Sequence, residues 1–229
     1  MKAPKPIQTI EERLTDWVPE VVPGKTFLRF TKSEILLHWG HALPFLLLLA
    51  SGLVLAVEGL FLQQRSALLS DFHKLTGVLL ILAPPLFTVI GNTKIILYNL
   101  RLILTITPLD IEWIKAQPKH LHVPAGKFNM GQKLNSILMM LISLSLQATG
   151  VWLWLFPQGL LPRWGHTLIA LGSMGLLGGH IFMATINPST RKGFWGIIHG
   201  VVPLSYVEEH HSLQLNPEAE HHPHQEESP

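Results

Sequence analysis

Four long apolar segments, almost free of charged side chains, constrain this 229-residue chain more than any other feature. They run approximately over residues 34–57, 72–92, 133–155 and 164–186. Each is close to the roughly 20 residues that a helix needs to cross a hydrocarbon layer about 30 Å thick. Because backbone groups find no water at that depth, each segment is predicted to be a helix. The sequence therefore predicts an all-α membrane protein, a four-transmembrane-helix bundle.

The composition agrees with a membrane-spanning chain. Hydrophobic residues make up 48% of the sequence and charged residues only 14%, and the apolar residues are concentrated in the four segments. The first segment begins well inside the chain and lacks a small-residue cleavage site, so we expect it to stay in the mature protein. The sequence contains no cysteine, which excludes disulfides and clusters held by thiolates of this chain. Any redox centre here must depend on histidine.

Lysine and arginine are distributed unevenly between the two sides of the predicted bundle. Six precede the first segment, and six lie in or beside the connection between the second and third segments. The two other connections contain few, chiefly Arg65 and Arg163. By the positive-inside rule, both termini and the middle connection are expected in the cytoplasm. We therefore predict a multi-pass protein of the cytoplasmic (inner) membrane, with N- and C-terminal cytoplasmic segments.

The predicted domain organisation has three parts. Residues 1–33 form an N-terminal cytoplasmic extension, 34–186 the four-helix domain, and 187–229 a C-terminal cytoplasmic segment. The tail after about Glu208 has too little apolar content to fold alone. Its His-rich end, residues 221–224, is expected to be solvated and disordered rather than a metal-binding tract.

One apolar stretch inside the domain is not counted as a span. Residues 95–107 are apolar but too short to cross, and they contain Asn99 and Arg101. The segment 95–117 is therefore expected to form an interfacial or re-entrant piece on the cytoplasmic face. Their Thr-Pro-Leu-Asp sequence predicts a helix with Pro108 in its first position. Prolines within the spans, Pro44 and the Pro84-Pro85 pair, are expected to bend their helices without ending them.

Four of the histidines inside the spans, His38, His73, His166 and His180, can be paired by their depth. His73 and His166 occur near the starts of the second and fourth spans, which run in the same direction, so both are expected near the outer face. His180 follows His166 by fourteen residues, which is about 21 Å along a helix and nearly the same side of it. His180 is thus expected near the inner face, level with His38. His41 lies one turn from His38, and depth alone does not separate these two.

Two level pairs of imidazoles favour two haems. An ionisable side chain in lipid usually marks a function, and imidazole nitrogens are common axial ligands of haem iron. Each histidine by itself has an alternative interpretation as a hydrogen-bonding residue between helices. Zinc is the competing metal, but a zinc site needs three or four ligands that converge on one point.

The residues that lead into the third span resemble a known signature. The run Pro-Ala-Gly-Lys-Phe-Asn-Met-Gly-Gln-Lys, residues 124–133, is similar to one in the cytochrome b (gamma) subunit of respiratory formate dehydrogenases and related four-helix di-haem b-type cytochromes. The histidines also fall at that family's places, in Leu37-His38-Trp39, in Phe72-His73-Lys74 and in the fourteen-residue pair of the fourth span. The resemblance continues through residues 208–211 and covers roughly residues 29–213.

The resemblance implies a set of ligands and a quinone pocket. His73 and His166 would ligate the outer haem b, and His38 and His180 the inner haem b, which favours His38 over His41. Asn129, Gly131 and Gln132 would line a quinone site beside the inner haem. Independently of the resemblance, the two amides could donate hydrogen bonds to quinone oxygens, and the glycine would let a ring approach the backbone. From spacing alone, Asn129 and Gln132 fit a helix cap and capping box equally well.

The predicted function is electron transfer across the membrane. An iron–sulfur or other electron-carrying subunit would dock on the outer face, and the quinone half-reaction would take place in this chain, in either direction. Lipid and the quinone pool are the other expected partners, and no nucleic acid is expected. Alternatives are the same cytochrome in a hydrogenase, a thiosulfate or polysulfide reductase or a multihaem cytochrome complex, a cofactor-free membrane anchor, or a metal transporter.

Overall fold

The computed structural model of the protein describes residues 25–62, 64–119 and 121–215. These residues form two units, each described here by itself. The helical unit contains residues 36–105 and 132–182, and the terminal unit contains residues 25–35, 106–131 and 183–215. Residues 1–24 of the predicted N-terminal extension and the predicted His-rich tail lie outside the described residues.

Eight α-helices occur in the part of the chain that the structure describes. In chain order they are α1 (Lys32–Val57), α2 (Ala67–Ile90), α3 (Thr93–Leu104), α4 (Pro108–Ala116), α5 (Met130–Leu155), α6 (Leu160–Ile181), α7 (Phe194–His199) and α8 (Leu204–His210). π-helical turns extend α1 through Glu58–Leu62 and α6 through Phe182–Ile186. Two strands, β1 (Thr26–Leu28) and β2 (Val201–Pro203), and three short 3₁₀ helices are also present, the latter at Gln117–Lys119, Arg191–Gly193 and Ser212–Gln214.

Four of these helices, α1, α2, α5 and α6, are long and apolar enough to cross a membrane. Many of their large apolar side chains are exposed, among them Leu43, Val54 and Leu141, as expected for side chains whose solvent is lipid. α1 continues through Pro44, and α2 continues through Pro84 and Pro85. The predicted four-transmembrane-helix bundle is confirmed, and the prolines do not end their helices.

Helices α1 and α2 approach closely at a glycine. A Cβ built at Gly40 would overlap the ring of Phe87, which lies against the α1 backbone there. α2 itself begins at Ser66, whose side chain accepts a hydrogen bond from the Leu69 amide. The backbone amide of Ser66 donates a hydrogen bond to the Glu58 carboxylate at 2.9 Å. A hydroxyl cap and a carboxylate are both stabilising at a helix N-terminus, so these two contacts stabilise the start of α2.

The stretch predicted to be interfacial forms two helices, α3 and α4. α3 has 12 residues, about 18 Å of helix, which is too short to cross about 30 Å of hydrocarbon. The carbonyl of Thr105, at the end of α3, accepts a hydrogen bond from Nζ of Lys133 on α5 at 3.0 Å. That bond ties the end of α3 to the start of α5. An interfacial position for the stretch stays a prediction.

α4 begins as its sequence predicts. Thr107 is the N-cap, Pro108 occupies the first turn, and Thr107 and Asp110 form a reciprocal capping box. Oδ2 of Asp110 accepts from the Thr107 amide at 2.8 Å. The helix start predicted from Thr-Pro-Leu-Asp is therefore confirmed.

The terminal unit is organised around a two-stranded antiparallel sheet. β1 pairs with β2 so that Phe27 lies opposite Val202, and Phe27 packs on a buried cluster of Val202, Tyr206 and Val207. α7 ends at Gly200, whose φ of 85° is left-handed. Its carbonyl accepts hydrogen bonds from the amides of Arg29 and Phe30 at 2.8 and 3.0 Å. Glycine is required at this turn, because a Cβ would meet the carbonyl of Phe30.

The C-terminal segment packs within the terminal unit beyond Glu208. His211 is fully buried, and the Leu213 amide donates to the carbonyl of Ala125 at 3.2 Å. The sequence predicted that this part would not fold alone, and here it contacts Arg29 and residues 125–126. The small sheet was not predicted, because neither three-residue strand carries a pattern that could be recognised by itself.

Candidate functional site

Two pairs of histidines lie inside the helical unit, and the two rings of each pair are close together. The ring centroids of His73 on α2 and His166 on α6 are 6.3 Å apart. Those of His38 on α1 and His180 on α6 are 6.4 Å apart. His166 and His180 are fourteen residues apart on one helix, so the two pairs are separated by about 21 Å along α6.

The separation within each pair fits one metal ion between two imidazoles. An imidazole nitrogen binds a metal at about 2.0–2.1 Å, so two rings on opposite sides of one ion have centroids a little over about 6 Å apart. The observed centroid separations, 6.3 and 6.4 Å, agree with this expected distance. The residues present therefore fit a metal centre with two axial histidines at each of two positions.

The structure also distinguishes His38 from His41. His38 approaches His180 and lies edge-on to Trp39, with centroids 5.4 Å apart. The ring of His41 instead stacks on Phe45 of its own helix at 5.9 Å. Geometry thus selects His38 as the partner of His180, whereas depth in the sequence left both open.

Polar side chains from neighbouring helices contact the far nitrogen of three of these rings. Oγ of Ser51 lies 2.8 Å from Nδ1 of His73, and Oγ1 of Thr149 lies 2.9 Å from Nδ1 of His166. Nδ2 of the Asn135 amide lies 3.2 Å from Nδ1 of His180. Where a hydroxyl oxygen accepts from Nδ1–H, as it can at His73 and His166, Nε2 keeps the lone pair that can bind iron.

Two glycines bring the helix backbone against the rings of one pair. A Cβ built at Gly52 would lie 3.1 Å from Cε1 of His73, and one built at Gly150 would lie 3.4 Å from Cε1 of His166. Each glycine directly follows the hydroxyl residue that contacts the same ring. The sequence analysis missed Ser51, Thr149 and Asn135. The signal that could have found two of them is the hydroxyl-glycine dipeptide that occurs once in α1 and once in α5.

The residues predicted to line a quinone site lie around the start of α5. Asn129 and Gly131 belong to the terminal unit, whereas Gln132 and His180 belong to the helical unit. Gly131 has a packing role, because a Cβ there would lie 3.2 Å from the indole ring of Trp113. The quinone assignment stays a prediction.

A buried polar cluster in the terminal unit was also missed. The guanidinium of Arg29 donates to Oε1 of Gln214 and to the carbonyl of Lys127, each at 2.9 Å. It also lies 2.9 Å from Nε2 of His211. Burial lowers the pKa of Arg29 to about 10, so the group remains a cation at neutral pH. The cluster joins the N-terminal strand to the C-terminal segment.

Metal sites formed by three or more side chains are the alternative to paired histidines. Among the residues that the structure describes, no three His, Cys, Asp or Glu side chains form a group that could hold a metal ion. A three-ligand zinc site, the competing metal centre, thus has no candidate within residues 25–62, 64–119 and 121–215. Pairs of histidines, in contrast, suit a macrocycle that supplies its own equatorial nitrogens.

A comparison with known families agrees with this geometry. A family model described as prokaryotic cytochrome b561 matches residues 29–200, well over half of the chain. A search of curated proteins found no match. The cytochrome b identity predicted from the sequence motifs is confirmed at the level of this family. The chain therefore belongs to the prokaryotic cytochrome b561 family of multi-pass membrane proteins, which bind haem b and transfer electrons.

Proposed function

We propose that this chain is the membrane-integral di-haem cytochrome b subunit of an oxidoreductase complex. It carries electrons across the membrane between a redox partner on the outer face and a quinone site near the cytoplasmic face. The observation that carries the proposal is the presence of two facing imidazole pairs, 6.3 and 6.4 Å across, at opposite ends of α6.

Each pair has a defined task in this proposal. His73 and His166 hold one haem b, and His38 and His180 hold the other. Haem iron with two axial imidazoles supplies one-electron redox chemistry. The chain contributes by presenting both imidazoles from separate helices and by keeping the two positions apart along α6. The long apolar helices around them exclude water, which favours electron transfer over side reactions.

The quinone site is proposed at the start of α5, with Asn129, Gly131 and Gln132 as lining residues. The two amides can donate hydrogen bonds to the quinone oxygens. A position at the cytoplasmic end of the bundle would give the bound quinone access to protons from water. Support comes from the resemblance of residues 124–133 to the formate dehydrogenase cytochrome signature.

The partner on the outer face is proposed to carry iron–sulfur clusters or another electron carrier. This chain has no cysteine, so its own thiolates cannot hold such a cluster. The uneven distribution of lysine and arginine supports a cytoplasmic location for both termini. The same arrangement works in both directions of electron flow.

Haem content tests the proposal directly. Purified protein should contain two haems b per chain, with the reduced absorption band of six-coordinate b-type haem. His73→Ala and His166→Ala should each remove one and the same haem, and His38→Ala and His180→Ala should each remove the other. His41→Ala, one turn from His38, is the matched control and should retain both. A colourless wild-type protein would instead indicate a cofactor-free anchor.

The quinone site needs a separate test. Asn129→Ala and Gln132→Ala should slow haem reduction by an added quinol analogue at least several-fold and leave the haem spectrum unchanged. Gln147→Ala is a matched control on α5, where Gln147 bonds to Ser143 of its own helix at 3.0 Å. Loss of haem in the two test variants would show that these residues are structural. Unchanged kinetics of haem reduction would show that they do not line the quinone site.

A further inference from the structure

Two hydroxyl side chains occupy equivalent places around one histidine pair. Ser51 comes from α1 and contacts His73, while Thr149 comes from α5 and contacts His166. The two contacts, 2.8 and 2.9 Å, are both made to Nδ1. Neither hydroxyl belongs to the helix that carries its histidine. Four helices therefore contribute to the environment of this one pair.

The hydrogen count at each hydroxyl determines the direction of its bond to histidine. Oγ of Ser51 lies 2.7 Å from the carbonyl oxygen of Leu47, and Oγ1 of Thr149 lies 2.7 Å from that of Ser145. A carbonyl oxygen only accepts, so each hydroxyl donates its single hydrogen to the helix backbone. The hydroxyl oxygen can then only accept from the ring. Nδ1 of each histidine is consequently the protonated nitrogen, and Nε2 keeps its lone pair.

We propose that Ser51 and Thr149 are positioning residues that hold His73 and His166 as Nδ1–H tautomers, present both Nε2 atoms to one iron, and set its redox potential. The proposal rests on the axial ligation proposed above. An acceptor on Nδ1–H strengthens electron donation from Nε2 to a metal, which stabilises the oxidised state. The hydroxyls therefore lower the midpoint potential of this haem.

The second pair does not share these partners. Nδ2 of the Asn135 amide lies 3.2 Å from Nδ1 of His180, so this ring contacts an amide nitrogen and not a hydroxyl oxygen that can accept from Nδ1–H. The hydroxyl pair thus acts on the His73–His166 position alone, and the potentials of the two haems can be adjusted independently by different side chains. This gives the proposal a selective readout.

The test is a redox titration of purified Ser51→Ala and Thr149→Val, followed through the reduced absorption band. Hydrogen bonds to metal-bound histidines are typically worth about tenfold or more in metal affinity. We expect the midpoint potential of one haem to rise by about 59 mV, the equivalent of a tenfold change in a one-electron equilibrium, while the other stays constant. Ser51→Thr and Thr149→Ser keep the hydroxyl and should retain the wild-type potential.

Two further variants control for the helical hydroxyl bond itself. Oγ1 of Thr88 donates to the carbonyl of Pro84 at 2.8 Å, and Oγ of Ser145 donates to that of Leu141 at 2.8 Å. Both bonds have the same form as those that Ser51 and Thr149 make to the helix backbone, and they do not involve a histidine. Thr88→Val and Ser145→Ala should leave both potentials unchanged.

Each outcome supports or overturns the proposal. The proposal is supported if Ser51→Ala and Thr149→Val shift the midpoint potential of one haem alone. It is also supported if Ser51→Ala loses one haem selectively while Ser51→Thr retains both. Full haem content with two unchanged potentials in Ser51→Ala and Thr149→Val overturns it, as does an equal shift of both haems. A wild-type protein without haem, or His73→Ala with two haems, would contradict the proposed function itself and would be detected before any hydroxyl variant is made.

Discussion

Nη2 of Arg29 lies 2.9 Å from Nε2 of His211, although 182 residues separate them in the chain. Nδ1 of His211 lies 2.8 Å from the carbonyl oxygen of Gly126. Because that carbonyl only accepts, Nδ1–H donates to it and Nε2 accepts from the guanidinium. A neutral imidazole therefore connects three distant segments of the terminal unit.

Removing the guanidinium should loosen the terminal unit. Arg29→Met removes a buried donor from three acceptors, which are the side chains of His211 and Gln214 and the carbonyl of Lys127. Each acceptor left without a partner lowers the free energy of unfolding by about 1–3 kcal/mol. Amide hydrogen exchange in residues 201–214 should become faster while the haem spectrum stays unchanged. Lys192→Ala, an exposed cation of the same unit, should have no effect. Equal protection in Arg29→Met and the wild type would contradict the role of this cluster.

The terminal unit should also lose stability in mild acid. Burial, with a smaller effect of the Arg29 charge, lowers the pKa of His211 to about 3, below the ordinary 6.5. Above pH 6.5 the imidazole is neutral in both the folded and unfolded states. As the pH falls below 6.5, only the unfolded state binds the proton, so the free energy of unfolding falls by about 1.4 kcal/mol per pH unit.

Hydrogen exchange measures this pH effect. After correction for intrinsic rates, protection of residues 201–214 should decrease from pH 7 to pH 5 in the wild type. His211→Gln retains a donor for the Gly126 carbonyl and an acceptor for Arg29, but it cannot titrate. Its protection should vary less with pH, and an identical slope in the two proteins would rule out His211 as the cause.

Methyl groups added beside the His73–His166 pair should have graded effects. Gly52→Ala places Cβ 3.1 Å from Cε1 of His73, whereas Gly150→Ala places it 3.4 Å from Cε1 of His166. Overpacking typically costs about 1–3 kcal/mol, so Gly52→Ala should displace its ring more and weaken retention of one haem. Gly172→Ala meets no atom within 4 Å and serves as the control. Haem release on heating is the measurement, and the reverse order of effects would be inconsistent with this packing.

The contact between α1 and α2 predicts a rescue. Gly40→Ala would overlap the Phe87 ring, and the overpacking cost of about 1–3 kcal/mol exceeds the gain in helix propensity of up to about 1 kcal/mol. Thermal unfolding in detergent should therefore occur at a lower temperature. The double variant Gly40→Ala, Phe87→Leu has room for the methyl group and should recover part of the loss. A double variant less stable than Gly40→Ala would disprove the contact.

The helices of the bundle and the start of α4 could be predicted because their signals are local. An apolar run of about 20 residues has few alternatives in a membrane, and Thr107, Pro108 and Asp110 carry a capping pattern within four positions. The relation of His166 to His180 was equally accessible, since both lie on one helix of known pitch.

The partners of the histidines could not be predicted in the same way. Ser51 reaches His73, and Thr149 reaches His166, only through the rotation of each helix about its axis, and hydrophobicity does not determine that rotation in a segment that is apolar all round. The Arg29 and His211 contact was hidden for a related reason. It depends on a sheet between two three-residue strands from opposite ends of the chain.

The sequence by itself determined the number of membrane helices, the absence of thiolate chemistry and the four imidazoles that a redox centre could use, because chain length, composition and helical pitch act on each segment alone. Only the tertiary structure decided that His38 rather than His41 meets His180, that two hydroxyls contact the other pair, and that residues 25–35 and 183–215 belong to one folded unit. These features depend on how separate helices are rotated and packed against each other, and a contact between side chains of different helices has no signature within either one.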